Sequence, residues 1–419
     1  MRIGIVATRL AGVDGVTFET TKWEAVLDEL GHDVLLAAGD VDALRPNTRL
    51  IPAMHFVSAP ALEVSAAAFD GTGDRLGLRR KIRRLADQLL PPMRDWVERN
   101  GIEALIVENA WAIPMQLPLG IALRDLVVEK NLPAIGHHHD YWWERERFTR
   151  CAVPDVLERA FPPDLPNVRH VSINSLAAGE LERRRGIRST VIPNVFDFDR
   201  PMPRSDRRER VRAALREELG MAEDALLVVQ PTRVVTRKGI ELAIELVGRL
   251  ADPNAVLLIT SPAGDEGLEY LRTLEQLADR WNVRLRYAAD RFAPDHDGKR
   301  PNPAHSLGDA YLAADLVTYP SLYEGFGNAL IEALYYGTPL MVNRYSVYEA
   351  DIRPLGLRVI EIDGAITDAT VADVRDVLAD PERRARDAKV NARIGRQHFG
   401  YEVLRRELPL LLETAAAAV

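Results

Sequence analysis

Glu324 and Glu332, on either side of a Gly-Phe-Gly bend, are the carboxylates of this chain with the clearest chemical setting. The surrounding pattern predicts a strand at Leu316–Tyr319, a turn that holds Glu324, and a helix over about Asn328–Tyr336 that Gly337 terminates. Free N–H groups and the helix dipole attract phosphate to the start of a helix. Both glutamates can therefore reach a phosphate-bearing ligand seated there.

The two glycines of the bend, Gly325 and Gly327, allow the backbone to come close to such a ligand. Glycine-rich turns between a strand and a helix are also common in α/β proteins. Taken alone, the stretch fits a ligand site and an ordinary turn with solvated glutamates about equally well.

Two cations, Arg233 and Lys238, lie on the turn that follows a predicted strand at 226–230. Because parallel strands end at one edge of their sheet, this turn should lie on the same side as Glu324. Two cations beside helix starts suit a diphosphate whose negative charge grows as it leaves. A solvated basic loop explains this turn alone slightly better, but the two turns together favour a diphosphate site.

Three adjacent histidines at 137–139 follow a predicted strand at about 132–136. Neighbouring side chains of an extended segment point to opposite faces, and no second ligand cluster stands nearby in the sequence, so a metal site is not expected. One or two of these histidines are better suited to hydrogen-bond a polar ligand beyond the strand end. Trp142 and Trp143 could stack on a sugar or serve as packing groups.

The first residues of the chain predict the opening βαβ unit of a doubly wound sheet, with strands at 2–7 and 33–38. Gly12 and Gly15 lie in its first loop, where a phosphate could sit. Their spacing is not GxGxxG, and no clear ribose-binding acid follows the second strand. A nicotinamide-dependent enzyme is therefore not favoured.

A largely helical region at 74–100 carries five basic residues within 79–84 and is predicted to break near Pro91 and Pro92. A basic amphipathic helix can lie on an acidic membrane surface. Packing on a sheet with the charges in water is the commoner arrangement. Peripheral membrane contact is thus a minor alternative.

The composition is that of a globular protein with two domains: 419 residues, 47% of them hydrophobic, are enough for two cores. The net charge of −8 argues against broad binding to nucleic acid. The single cysteine, an N-terminus that begins as a strand rather than as a signal peptide, and the lack of an apolar run of ~18 residues predict a cytoplasmic protein.

Strand and helix patterns alternate in both halves of the chain, and a charged, proline-containing segment at 198–210 lies between them. The alternation predicts an α/β protein with two parallel sheets, each covered by helices on both faces. The segment between the halves is the predicted domain junction.

Several motifs resemble the retaining glycosyltransferases of the GT-B fold, the large family that includes sucrose-phosphate synthase and bacterial mannosyltransferases. The residues that carry the resemblance are Arg233, Lys238-Gly239, Glu324-Gly-Phe-Gly, Glu332, Ile192-Pro193-Asn194, the early glycine-containing loop and His139-Asp140. The family implies two Rossmann-like domains whose parallel sheets face each other across a cleft. It assigns 1–197 to an acceptor-binding domain and 198–399 to a nucleotide-sugar-binding domain, with a last helix within 400–419 that packs back on the first.

The resemblance also implies roles for individual residues. Arg233 and Lys238 would neutralise the leaving diphosphate, Glu324 would bind hydroxyls of the donor hexose, and His139 would contact the donor sugar near its reacting carbon. Glu332 would bind the ribose. The implied donor-binding residues are Gly15, His138, Gly325, Phe326, Gly327, Asn328 and Glu332.

The activity implied is a metal-independent, retaining transfer of glucose or mannose from a UDP- or GDP-linked sugar, with no other cofactor. The acceptor would be a small hydrophilic molecule such as a sugar, a sugar phosphate or a glycerate. No nucleophile is evident, which predicts a front-face displacement. Asn328 and the segment 343–349 depart from the usual family pattern and leave the donor sugar open.

Three other functions fit the sequence less well: a sugar-nucleotide epimerase of the same fold, a glycosyltransferase that acts on a lipid at the membrane surface, and a nucleotide-sugar binder without activity. The nucleotide base, the acceptor, the linkage and the oligomeric state stay open at this point.

Overall fold

The computed structural model describes residues 1–12, 15–42, 45–71, 74–263, 268–293 and 305–419. The chain divides into two compact units, one of Met1–Val195 with Tyr401–Val419 and one of Phe196–Gly400. The predicted boundary after residue 197 lies two residues from the observed one, and the last helix belongs to the first unit.

The first unit holds a seven-stranded parallel sheet with the strand order β3-β2-β1-β4-β5-β6-β7. The strands are β1 (Arg2–Ala7), β2 (Asp33–Ala38), β3 (Thr48–Leu50), β4 (Ala104–Glu108), β5 (Ala134–His138), β6 (Val168–Ser172) and β7 (Ser189–Val191). The helices are α1 (Gly15–Glu29), α2 (Ala59–Phe69), α3 (Arg75–Asn100), α4 (Leu117–Lys130), α5 (Glu146–Thr149), α6 (Pro154–Ala160), α7 (Ser175–Arg185) and the last helix of the chain, α15 (Tyr401–Ala416). The strand order reverses between β1 and β4, the kind of point beyond which ligands bind in doubly wound sheets.

Apolar residues cover both faces of this sheet. On one face, α3 and α4 bury side chains such as Ile82 and Leu123, and on the other, α1 and α15 bury side chains such as Trp23 and Leu404. The strands between them are apolar almost throughout, because both of their faces are covered. The α/β class predicted from the sequence is confirmed for this unit.

Helix α3 differs from its prediction, because it continues through both prolines to Asn100. The predicted break near Pro91 and Pro92 is wrong. Buried residues recur along one face on both sides of the prolines, from Leu78 to Val97, and anchor the whole helix to the core. Each proline removes its own N–H from the helix ladder and crowds the carbonyl of the preceding turn, and the packing of the helix on the core outweighs this cost.

Three of the five basic residues within 79–84 of α3 pair with neighbouring acids. Arg79 Nη2 lies 2.6 Å from Asp155 Oδ1, and Lys81 and Arg83 form ion pairs with Glu63 and Asp125. Ion-paired cations offer less attraction to an acidic surface than free ones. No helix of the described residues is both long and apolar enough to cross a bilayer.

The second unit holds a six-stranded parallel sheet with the order β10-β9-β8-β13-β14-β15 and a separate pair, β11 with β12. The strands are β8 (Leu227–Gln230), β9 (Val256–Ile259), β10 (Arg284–Tyr287), β11 (Phe292–Ala293), β12 (His305–Ser306), β13 (Leu316–Tyr319), β14 (Leu340–Asn343) and β15 (Ile360–Ile362). The helices are α8 (Ser205–Glu218), α9 (Ile240–Leu250), α10 (Glu269–Trp281), α11 (Leu307–Ala313), α12 (Asn328–Tyr336), α13 (Asp368–Ala379) and α14 (Pro381–Phe399). Here the strand order reverses between β8 and β13, so the turns after these two strands are neighbours.

Candidate functional site

The Glu324 bend lies at the carboxyl end of β13. The strand ends at Tyr319 and α12 begins at Asn328, with Glu324 in the turn between them. Gly337 terminates α12 in the left-handed region, with φ 67°. The strand, turn and helix predicted for this stretch are confirmed.

Glu324 is the centre of a buried ion cluster. Arg237 Nη1 donates to Glu324 Oε2 at 2.7 Å, and Lys238 Nζ donates to Glu324 Oε1. The exposed fraction is 6% for Glu324 and 8% for Lys238. Both cations come from the short 3-10 turn Thr236–Lys238 after β8, which the reversal of strand order places beside the Glu324 bend.

Two cations share this one carboxylate. Burial alone would raise the pKa of Glu324, but Lys238 and Arg237 outweigh it and the pKa lies below its ordinary value. Burial lowers the pKa of Lys238, and Glu324 offsets this only in part, because Arg237 and Arg233 repel the ammonium. The cluster therefore has more positive than negative charge, and an anion would relieve the repulsion.

Arg237 belongs to this turn, and Arg233 lies three residues before it in the same loop after β8. Arg233 is half-buried, and its charge is close enough to lower the pKa of Lys238. Sequence analysis did not single out Arg237, whose only signal is its place directly before Lys238. Spacing alone does not tell which residue of a basic turn reaches a carboxylate on the next strand.

Two glycines permit the close contact between these turns. Gly239 has φ 59°, and a Cβ there would lie 2.5 Å from the Pro320 carbonyl oxygen. Gly327 has φ 142°, and a Cβ there would lie 2.8 Å from Tyr345 Oη. A side chain at either position would be both strained and in collision.

Tyrosines line the inner side of the cluster. The Lys238 ammonium lies 5.5 Å from the centroid of the Tyr319 ring, and Tyr345 Oη donates to the Phe326 carbonyl oxygen. Burial raises the pKa of both phenols well above its ordinary value, so both remain neutral donors. Tyr345 belongs to the segment that departs from the family pattern, and here it holds the bend in place.

The other predicted donor-binding residues of this unit lie at the same end of α12. Phe326 is 3% exposed and its ring packs on Phe399, so only its backbone can face a ligand. Gly325, Asn328 and Glu332 are half-buried, with Glu332 one turn into the helix from Asn328. Their individual contacts with a donor stay predictions.

The first unit has its own buried carboxylate, Glu108, at the end of β4. Glu108 is in register with His137 of β5, whose Nδ1–H donates to Oε2 at 2.9 Å and to Oε1 at 3.1 Å. His139, just beyond β5, has its Nε2 3.6 Å from Glu108 Oε2. Trp23 stacks on His137, with 4.1 Å between ring centroids.

Charge couples these residues as well. Burial alone would raise the pKa of Glu108, but His137 and His139 hold the pKa at about 2. Burial alone would lower the pKa of His139, but Glu108, Glu19 and Asp140 together raise it. The site therefore keeps a carboxylate and favours a protonated His139.

Glu108, His137 and His139 also form a group of potential metal ligands, with donor atoms within 4.8 Å of one another. Sequence analysis missed this group because Glu108 reaches the histidines across neighbouring strands. Direct hydrogen bonds join Glu108 to His137, whereas His139 Nε2 lies 3.6 Å from Glu108 Oε2 and makes no hydrogen bond among the described residues. The expectation that no metal takes part stays a prediction.

His138 points to the other face of β5. Its Nε2 lies 2.9 Å from His170 Nδ1, and His170 Nε2 donates to the Pro163 carbonyl oxygen at 3.1 Å. Since a carbonyl only accepts, His170 carries its proton on Nε2, and His138 is the donor to His170. His138 is 0% exposed. Its burial argues against the predicted contact of His138 with the donor, because alternation along the strand turns its ring into the interior.

Gly15 and the two tryptophans complete the predicted set. Gly15 is the exposed first residue of α1, while residues 13 and 14 of its loop lie outside the described part of the chain. Trp142 Nε1 donates to the Phe161 carbonyl oxygen at 3.1 Å, and Trp143 stacks on Tyr141 with 4.7 Å between ring centroids. These contacts favour packing over sugar stacking for both tryptophans.

Known proteins resemble this chain in sequence. Residues 296–393, which include the Glu324 bend and α12, match the family model of the glycosyl transferases group 1. The mannosylglucosylglycerate synthase of Thermotoga maritima is 32% identical, and the match covers 97% of this chain and 100% of that protein. The mannosylglucosylglycerate synthase of Petrotoga mobilis is 30% identical over 86% of each chain.

Solved structures share the architecture at low sequence identity. Sucrose-phosphate synthase from Thermosynechococcus elongatus superposes with a TM-score of 0.69 at 17% identity, over 100% of both chains. Anabaena HepE in complex with UDP and glucose superposes with a TM-score of 0.67 at 14% identity, over 98% of this chain and 99% of that one. At these identities the likeness shows the fold, which is the GT-B fold.

Proposed function

This chain belongs to the GT-B glycosyltransferases of the glycosyl transferases group 1 family, and from that premise we propose that it moves a glucosyl or mannosyl group from a UDP- or GDP-linked sugar to a hydroxyl of a small glycerate-type acceptor. The observation that carries this proposal is the ion cluster of Glu324, Lys238 and Arg237 beside the start of α12. A cluster with excess positive charge at a helix start suits a diphosphate.

Donor binding would exchange partners within this cluster. The diphosphate would take Lys238 and Arg233, as the sequence predicts, with Arg237 as a third cation. Glu324 would then have carboxylate oxygens available to accept hydrogen bonds from the hexose hydroxyls. Glu332, one turn into α12, would accept from the ribose hydroxyls. Each carboxylate would thus bind the part of the donor that offers O–H groups, and each cation the part that carries charge.

The reaction would be a front-face displacement. The bond from hexose C1 to the diphosphate oxygen breaks while the acceptor oxygen bonds to C1 on the same face, and the acceptor proton goes to the leaving phosphate oxygen. The configuration at C1 is retained. Cations fixed next to the leaving group stabilise the charge that develops there. We expect them to do so without a metal ion.

The acceptor class is drawn from the relatives. Both are named mannosylglucosylglycerate synthases, a name that describes a product with mannose, glucose and glycerate. The ion-paired basic face of α3 fits a small acceptor better than a lipid at a membrane surface.

The proposal is tested by product formation. The purified chain is incubated with UDP-glucose, GDP-glucose or GDP-mannose, each with glycerate, glucosylglycerate or a neutral sugar, and the products are weighed by mass spectrometry. We expect one donor to add a single hexose to a glycerate-bearing acceptor. Free nucleotide and an altered sugar without any acceptor would instead identify an epimerase. No turnover of any donor, together with no binding of UDP or GDP, would overturn the proposal.

Two further readouts examine the mechanism. NMR of the new glycosidic bond should show the same anomeric configuration as the donor, and inversion would exclude the front-face step. Activity should survive a strong chelator, since the fixed cations supply the positive charge, and full loss that a divalent ion restores would contradict this part.

A further inference from the structure

Glu108 is a charged group with no place in the transfer reaction as proposed above. It is 1% exposed, and both of its oxygens accept from His137 Nδ1. A carboxylate so deeply buried is costly unless it is paired and hydrogen-bonded. Its position must therefore serve the residues around it.

His139 is the residue that Glu108 and its neighbour Asn109 hold. Asn109 Oδ1 accepts from the His139 backbone N–H at 3.0 Å, and Asn109 Nδ2 donates to Asp140 Oδ1 at 3.2 Å. The His139 ring packs against the His137 ring, with 4.6 Å between centroids. The end of β4 thus fixes both the backbone and the ring of His139.

The orientation of the His139 ring sets which nitrogen can meet a ligand. Its Nε2 is buried, lies 3.6 Å from Glu108 Oε2 and has no hydrogen-bond partner among the described residues. A carboxylate can only accept, so it favours a proton on Nε2. Nδ1 is then the nitrogen left for a ligand, and it donates a hydrogen bond only when the ring is protonated on both nitrogens.

We propose that Glu108 is a positioning residue for glycosyl transfer: its carboxylate, beside His139 Nε2, turns the ring so that Nδ1 faces the donor sugar as a hydrogen-bond donor. The inference rests on the proposed function and on the prediction, implied by the family resemblance, that His139 contacts the donor sugar. The charged groups that face His139 are Glu108, Glu19 and Asp140, and the His137 ring lies tilted beside it. Of these, Glu108 contacts the ring nitrogen itself.

The test is Glu108→Gln, which keeps the shape and removes the charge. At about pH 8 we expect kcat to fall roughly tenfold, the scale of one charge-assisted hydrogen bond. The alkaline limb of the kcat profile should move to lower pH, because His139 loses its proton more easily without Glu108. Activity should then recover toward the wild-type value at about pH 6, a rescue that mere loss of packing would not give.

Two variants sharpen this result. Glu108→Asp retains the charge, so its alkaline limb should stay near the wild-type position even if kcat falls. Glu103→Gln, on an exposed glutamate just before β4, should leave both kcat and the profile unchanged. An unshifted profile in Glu108→Gln, with or without a lower kcat, would overturn the inference.

A measurement without turnover separates this inference from the proposed function. The ring protons of His139 are followed by NMR as pH is raised, in the wild type and in Glu108→Gln. We expect the His139 titration midpoint to drop in the variant. Equal midpoints would overturn the positioning role, whereas a wild-type protein that transfers no sugar but shows the drop would contradict the proposed function alone.

Discussion

Each unit of this protein buries one glutamate at the carboxyl edge of its sheet and surrounds it with basic side chains, but the bases differ. In the second unit, Glu324 meets Arg237 and Lys238. In the first, Glu108 meets His137 and His139. Arginine and lysine ordinarily stay charged throughout the physiological pH range, whereas an ordinary histidine titrates within it.

The difference indicates a division of labour. A leaving diphosphate needs positive charge that does not depend on pH, which arginine and lysine supply. A contact with a neutral sugar hydroxyl needs a donor of the right geometry, which a histidine can be when its charge is controlled. Under the two proposals, Glu324 would release its cations to the donor, whereas Glu108 would keep the His139 ring oriented.

The largest effect should come from removing the fixed charge. Lys238→Ala should lower kcat by roughly 100- to 1000-fold, the scale of losing one preorganised group that stabilises developing charge. The change in kcat is measured by steady-state kinetics with the donor that the product assay identifies. Lys389→Ala, an exposed lysine of α14 in the same unit, is the matched control and should be neutral. Near-normal turnover of Lys238→Ala would remove Lys238 from the leaving-group role.

A second prediction concerns the contact that brings the turns together. Gly239→Ala adds a Cβ 2.5 Å from the Pro320 carbonyl oxygen, and should lower both kcat and the unfolding free energy, the latter by roughly 1–3 kcal/mol. Gly220→Ala is the control, because Gly220 has φ 63° but nothing within 4 Å of an added Cβ. Gly220→Ala should lower the unfolding free energy only by the cost of the backbone conformation, about 1–2 kcal/mol, with kcat unchanged. Equal losses of kcat in Gly239→Ala and Gly220→Ala would mean that backbone strain, rather than the contact with Pro320, lowers activity.

A third prediction isolates the nucleoside. Glu332→Gln should raise the KM for the donor roughly tenfold with little change in kcat, because a ribose contact is the same in the ground and transition states. Glu275→Gln, on the exposed side of α10, should leave both constants at their wild-type values. A fall in kcat at constant KM would move Glu332 from the ribose to the reacting part of the donor.

The smallest effect is on stability as pH changes. The pKa of His139 is raised in the fold, so its contribution to stability is present below the unfolded value of 6.5 and is lost as pH rises through the folded value. The pKa of Glu324 is lowered, so its contribution is present above 4.5 and is lost only as pH falls through the folded value. Between about pH 6 and pH 9, hydrogen-exchange protection should therefore decrease at the end of β5 and not at the Glu324 bend. A decrease at the bend, or none at β5, would contradict the contrast.

The second-unit site was largely predictable from sequence, because its parts are local. Glycine spacing and helix signals define the bend at Glu324, and the rule that parallel strands end together places the Lys238 turn beside it. A local sequence pattern does not show which cation of the turn reaches Glu324, so the contact of Arg237 was not predicted.

The first-unit site was predicted less well, because it depends on strand register. Glu108 meets His137 only because β4 and β5 pair at that residue, and a single sequence does not reveal register. Side chains alternate along β5, so His138 points away from His137 and His139. This alternation was used only against a metal site and was not applied to the donor contact predicted for His138. The predicted break in α3 failed because long-range packing outweighed a local signal at two prolines.

The division of labour is tested most directly by calorimetric titration of UDP and GDP, without sugar, into the wild type, Lys238→Ala and Glu108→Gln. We expect one nucleotide to bind the wild type and Glu108→Gln with equal Kd, and Lys238→Ala roughly 10- to 100-fold more weakly, since the proposed function assigns the diphosphate to the second-unit cluster. Equal binding to all three proteins, or a loss in Glu108→Gln as large as that in Lys238→Ala, would contradict the account.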